Sequence, residues 1–219
     1  MGVIGMLQSA NWKKYVLNAL GVFYIFFGIL AIWNAYDIGN YSGMLWFCYI
    51  SLILLGVGML MRNGYLIASQ INILAVPLLM WNIDFLGILF FDREVFHIAT
   101  YFFEREFFSL ANIISLEHLF LLPLALFALW IVGLKRRDAW KWSVVQSLFI
   151  LFLTLLLTNP EKNINCAFES CFTFLGNFLY IYILIILFAC IIILTNILLV
   201  WLFYNGKRLN KLKLGLYEK

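Results

Sequence analysis

The sequence predicts an all-α polytopic membrane protein with six transmembrane helices in one domain, residues 1–219, and three observations lead there. The 219-residue chain is 65% hydrophobic and 12% charged, with mean hydropathy +0.97. Soluble domains are about 45–50% apolar and about 25% charged. Six apolar runs each approach the ~20 residues that carry a helix across a bilayer. Lysine and arginine alternate between the intervening loops in step with those runs. The net charge of +4 follows this topology, so the expected partners are the bilayer and a lipid substrate, not nucleic acid. The four cysteines match no metal-binding spacing, and no cofactor is expected. The sequence does not encode the oligomeric state.

The expected spans are 15–34, 43–61, 65–91, 111–134, 140–158 and 177–204. The first follows Trp12-Lys13-Lys14 and lacks a small-residue cleavage site after it, so no cleaved leader is expected. The second ends at the tight turn Arg62-Asn63-Gly64. The third contains Pro77 and the fourth Pro123. Neither proline can donate to the carbonyl four residues earlier, so both helices should loosen there. A basic loop, 135–141, leads into the fifth span, which stops at Asn159-Pro160.

With the N-terminus inside, Lys13, Lys14, Arg62, Lys135, Arg136, Arg137, Lys141 and all the tail lysines and arginines lie on the inner side. Only Arg93, Arg105 and Lys162 lie outside. Both termini are therefore expected in the cytoplasm, in a prokaryotic cytoplasmic membrane. Residues 92–110 mix Asp92-Arg-Glu94 and Glu104-Arg-Glu106 with aromatics, which predicts an interfacial segment between the third and fourth spans. That segment is either an anchored hairpin or a lid admitting lipid.

Chemistry is expected where polar groups enter these spans. Glu117 and His118 lie in the first third of the fourth span. A charged group at mid-membrane costs roughly 2.5–3.5 kcal/mol on insertion scales, and the default reading is a functional site. At ~1.5 Å per residue, Cys48, Asp84 and His118 all fall roughly 8–11 Å below the outer ends of three successive helices. A thiol, a carboxylate and an imidazole at one depth are the inventory of a nucleophile, an orienting acid and a base. Asp84 is the first choice for the acid. Glu117 is the second, because it leaves the helix about 100° from His118. Asn82, Asn112 and Ser115 are candidates for binding an oxyanion, and Ser51, one turn below Cys48, is the alternative nucleophile.

Simpler readings stand beside these. A cysteine in an apolar helix packs as a small hydrophobe. His118 can bond a carbonyl freed by Pro123. Buried asparagines commonly join helices. Cys166 and Cys171, in the outer loop, are either a short-loop disulfide or two free thiols.

Three stretches carry a resemblance: Asn40-Tyr-Ser-Gly-Met-Leu-Trp-Phe-Cys48, Phe91-Asp-Arg-Glu94 and Asn112-Ile-Ile-Ser-Leu-Glu-His118-Leu-Phe-Leu-Leu-Pro123. Together they resemble the androgen-induced-gene family of multi-pass lipid hydrolases and its cysteine-using phospholipid acyltransferase relatives, over about a third of the chain. The resemblance implies an intramembrane nucleophile on an early helix, at Cys48 or Tyr49, and His118 as its base. The leading expectation is lipid acyl-ester hydrolysis or acyl transfer by Cys48, His118 and Asp84. A proton-coupled small-solute transporter using Asp84, Glu117 and His118 is the second, and a non-catalytic membrane scaffold the third.

Overall fold

A computed structural model describes residues 3–106, 108–170 and 180–204, with side chains from Asn11 onward. The described residues are helical, without strands. α1 (Val3–Asp37) runs through the predicted first span without a break. A 3-10 turn, Tyr41–Leu45, precedes α2 (Phe47–Leu60). α3 covers Gly64–Phe91 and α4 is a single short helix, Thr100–Glu104. α5 (Leu110–Ser115) and α6 (Glu117–Val132) together form the fourth predicted span. α7 is Ala139–Leu157, and α8 is Tyr180–Leu199 with a π turn over Val200–Tyr204.

Five helical stretches are long and apolar enough to cross a membrane: Asn11–Asp37, Gly64–Phe91, Leu110–Val132, Ala139–Leu157 and Tyr180–Tyr204. α2 differs from the predicted second span. Its 14 residues reach about 21 Å at 1.5 Å per residue, short of the ~30 Å hydrocarbon layer. The residues before it form the separate 3-10 turn, and Trp46, at φ −58° and ψ 133°, breaks the helical path between them.

α3 is the centre of the bundle. Every residue from Ile67 to Ala75 is buried, whichever side of the helix it occupies. A helix buried all round must have neighbours on every side, and α2, α6, α7 and α8 all pack on it. Asn63 caps its start, accepting from the N–H groups of Tyr65 (3.1 Å) and Leu66 (3.2 Å). Polar side chains fasten it to α7 and α8. Gln70 and Gln146 exchange amide hydrogen bonds of 2.8 and 2.9 Å. The Asn72 amide donates to Ser143 Oγ (3.3 Å) and Asn196 Oδ1 (3.2 Å).

α1 and α2 pack backbone to backbone. A Cβ built on Gly56 would lie 2.5 Å from the Gly21 carbonyl oxygen, and one on Gly28 would lie 2.7 Å from the Ile53 side chain. Small residues permit such close approach in bundles without a water-driven hydrophobic force. The outer faces are correspondingly apolar: Val22, Phe26, Ile29 and Trp33 on α1 and Phe149, Phe152 and Leu156 on α7 are exposed at helical spacing.

The segment after α3 is packed against the bundle rather than lying loose. Phe102 (1% exposed) and Ala99 join Trp81 and Phe85 in a second small core. Phe108, Phe103 and Val95 remain exposed, so part of the segment keeps the apolar surface expected of an interfacial element.

Candidate functional site

α6 brings the key pair in because the helix breaks before it. Leu116 separates α5 from α6. The Leu119 N–H bonds the Leu116 carbonyl at 3.1 Å instead of reaching Ser115. The freed Ser115 carbonyl lies 2.9 Å from His118 Nδ1. A carbonyl only accepts, so Nδ1 carries the proton and Nε2 keeps the lone pair of the neutral ring. The carbonyl that His118 uses is thus freed by the break at Leu116, not by Pro123.

Glu117 comes closer to the ring than its helical angle suggests. Its Oε1 lies 3.6 Å from His118 Nδ1, although neighbours in a helix leave it about 100° apart; the length of the glutamate side chain spans the difference. Glu117 is 1% exposed, and neither carboxylate oxygen has a hydrogen-bond partner. Cys48 completes the group. Its Sγ, one Glu117 oxygen and one His118 ring nitrogen all lie within 4.8 Å of one another.

Cys48 sits at the mouth of α2, second in the helix, instead of five or six residues inside a longer one. The free N–H groups of a helix's first turn favour an anion. Asn165 holds that mouth from the loop before α8. Its Oδ1 accepts from the Phe47 N–H (3.1 Å), and its Nδ2 donates to the Leu45 carbonyl (2.9 Å). Asn165 has φ 56°, in the left-handed region that asparagine tolerates better than most residues.

Asp84 is not the acid beside the imidazole. Its Oδ1 accepts from the N–H groups of Val95 (2.8 Å) and Phe96 (3.0 Å), and its Oδ2 from Ile98 (2.8 Å) and Ala99 (2.8 Å). The carboxylate pins the segment after α3 and forms no ion pair with His118 among the described residues. α3 ends at Phe91, leaving Asp84 seven residues short of its end, but the loop folds back and takes the carboxylate.

The other predicted polar residues hold helices together. Asn82 Nδ2 donates to Leu78 O (2.7 Å) and His118 O (2.9 Å), tying α3 to the backbone of the histidine. Asn112 Nδ2 donates to Phe102 O (2.8 Å) and Glu106 O (3.2 Å). Ser115 Oγ donates to Ala111 O at 2.9 Å. Neither amide nitrogen is therefore free for an oxyanion. Ser51 Oγ is buried without a partner, so it has no hydrogen bond to His118. Cys166 is disulfide-bonded, while Cys171, its expected partner, lies outside the described residues.

Aromatic groups finish the setting. The Trp81 ring lies 4.8 Å from the His118 ring at an interplanar angle of 33°. Trp81 Nε1 donates to Tyr101 Oη (3.1 Å), and the Tyr101 hydroxyl donates to Ser115 Oγ (3.4 Å). Burial pushes the Tyr101 hydroxyl above the ordinary phenol range, keeping it a donor. Sequence reading missed Trp81, Tyr101 and Asn165. The one available signal was Trp81, which lies in the same turn of the helix as Asn82 and Asp84.

No family model matches the chain, and no curated protein or solved structure matches it.

Proposed function

We propose that the protein performs acyl-ester chemistry on a membrane lipid, with Cys48 as nucleophile, His118 as base and Glu117 as the carboxylate on the Nδ1 side of the ring. The observation that carries this is the convergence of sulfur, imidazole and carboxylate within 4.8 Å. Glu117 stands 3.6 Å from Nδ1, on the side of the ring where a triad carries its acid, but the Nδ1–H itself goes to the Ser115 carbonyl, so Glu117 would act on the imidazolium by charge. Bonding of Nδ1 to Ser115 leaves Nε2 as the nitrogen able to take the thiol proton.

In the first step the sulfur attacks the ester carbonyl and its proton passes to the imidazole. The tetrahedral intermediate collapses, the C–O bond breaks, and the imidazolium returns that proton to the departing alcohol. In the second step water, giving hydrolysis, or a second lipid alcohol or amine, giving transfer, attacks the thioester; His118 takes the acceptor's proton, the C–S bond breaks, and the proton returns to the departing thiolate of Cys48. The apolar surroundings favour a lipid substrate over an aqueous one. The resemblance to the androgen-induced-gene family and the cysteine-using acyltransferases points the same way.

The proposal includes six crossings, with α2 as the short sixth beside α1. Both termini are cytoplasmic, following the lysine and arginine bias, and the setting is a prokaryotic cytoplasmic membrane. The test is covalent labelling. A lipid-tailed chloroacetamide should label the wild type, spare Cys48→Ala, and react at least tenfold more slowly with His118→Ala. Equal labelling of wild type and Cys48→Ala removes the thiol from the mechanism.

One observation favours proton-coupled transport as a second reading: Glu117 is buried with both oxygens unpartnered. Transport that survives Cys48→Ala but not Glu117→Gln would select it.

A further inference from the structure

We propose that Cys48, Glu117 and His118 also bind a single zinc-class divalent cation, and that this cation, by holding the thiolate, switches the site off. The binding rests on geometry alone. The inhibition rests on the acyl-transfer reading above.

The donor set decides the class of ion. Calcium and magnesium take oxygen ligands, six or more of them. A thiolate, an imidazole and one carboxylate suit a borderline-soft ion such as zinc. Zinc lies about 2.3 Å from sulfur and about 2.0–2.2 Å from nitrogen or oxygen, so tetrahedral ligand atoms stand roughly 3.3–3.7 Å apart. The three donors already lie within 4.8 Å of one another. Closing the remaining gap of about 1 Å needs side-chain rotation, chiefly of the long Glu117, whose Oε1 lies 3.6 Å from Nδ1 and would swing to the Nε2 edge of the ring.

Two further observations point to a cation. The first is the unpaired carboxylate. Glu117 is 1% exposed with neither oxygen hydrogen-bonded, and a buried polar group left without a hydrogen bond is expensive whether charged or neutral. This bundle satisfies a buried acid elsewhere: Asp84, equally enclosed, receives four backbone N–H groups. Glu117 receives none. The second is the orientation of His118, whose Nδ1–H is held by the Ser115 carbonyl at 2.9 Å. A metal-bound imidazole characteristically gives its other N–H to such an acceptor, which fixes the tautomer.

Charge balance fits the surroundings. A divalent cation with one thiolate and one carboxylate is neutral overall, and the imidazole adds no charge. A neutral complex is the form an apolar interior accepts at least cost. Binding releases the thiol proton, and the carboxyl proton where one is present, to solvent, with no change of oxidation state. Affinity should therefore rise with pH. Three protein ligands leave a fourth position for water. With its sulfur on the metal, Cys48 cannot attack an ester.

The experiment uses the full chain in detergent micelles, reduced and metal-free, titrated with cobalt(II) as the spectroscopic probe. One equivalent should bind with a thiolate-to-cobalt charge-transfer band, and zinc should displace it. Cys48→Ser should abolish the band and Glu117→Gln should weaken binding by about tenfold or more. Cys190→Ser, at the exposed cysteine of α8, should leave both unchanged. Thermal unfolding midpoints of the metal-free variants show whether each is folded. His118→Gln supplies a second ligand variant, expected to weaken cobalt binding, should Glu117→Gln unfold.

Zinc should also slow chloroacetamide labelling of Cys48 by at least tenfold, with chelator restoring it. A missing band, or a band that persists in Cys48→Ser, overturns the metal site and leaves the labelling test of the nucleophile standing. One-to-one binding with turnover that rises on adding zinc keeps the metal site but overturns the inhibition and the free-thiol nucleophile together.

Discussion

Replacing Asp84 by asparagine tests whether that residue is a loop anchor or a catalytic acid. The carboxylate accepts four backbone N–H groups, two on each oxygen. Asparagine keeps one acceptor oxygen and turns the other into an NH2 donor. Whichever way the amide lies, it loses two of the four bonds and sets its own hydrogens against two N–H groups. Hydrogen bonds to a charged acceptor contribute about 1.5–3 kcal/mol each, so about 3–6 kcal/mol of local anchoring is lost. At ~1.4 kcal/mol per tenfold, opening of the segment after α3 becomes two to four powers of ten more frequent. Arg93 lies in that segment and is exposed. Trypsin should cut there correspondingly faster, provided reclosing outpaces cleavage. Thiol labelling of Cys48 should stay within about threefold of wild type. Unchanged cleavage together with a labelling rate reduced as far as in His118→Ala would refute the anchor and restore Asp84 to the imidazole.

Two other substitutions probe the packing that positions the site. Gly56→Val places a side chain against the Gly21 carbonyl, 2.5 Å from the Cβ position. The α1–α2 pair must separate, and unfolding in micelles should show a loss of about 1–3 kcal/mol or more; an unchanged midpoint would mean the two helices are not in register there. Gln146→Leu leaves the Gln70 amide oxygen and one of its N–H groups unpaired in a buried setting, the other N–H keeping Ser69 Oγ at 3.0 Å, at about 1–3 kcal/mol, whereas the double change Gln70→Leu/Gln146→Leu should recover most of that. A double variant no better than the single one would show that the amide pair is not a closed unit.

The helices were legible because their length and apolarity are local properties: 64–91 against a predicted 65–91, and 139–157 against 140–158. α2 was misjudged at its start, because composition does not reveal that Trp46 turns the chain. Depth counting placed Cys48, Asp84 and His118 near one level, yet depth says nothing about competition. Asp84 was taken by N–H groups from a loop that the sequence left without a conformation. Glu117 was set aside by a helical-wheel angle, which fixes where a side chain leaves the helix but not how far a long one reaches: its carboxylate comes within 3.6 Å of the ring. Gln70, Asn72, Gln146 and Asn196 meet across long sequence separations, so no local pattern announces their pairing. Asn165 escaped notice for the same reason.

The Asn165 clasp has a consequence for biosynthesis. The sulfur of Cys48, the ring of His118 and the acid of Glu117 all leave the ribosome before the residue that closes the entrance to α2. The asparagine comes 118 and 120 positions after the backbone groups it grips. A nascent chain halted in α7 already owns every reactive atom but has no latch on the helix that presents the thiol. On the acyl-transfer proposal, full reactivity is expected only of a chain synthesised past residue 165. A ladder of C-terminal truncations, each assayed for thiol reactivity, should show a step at that point.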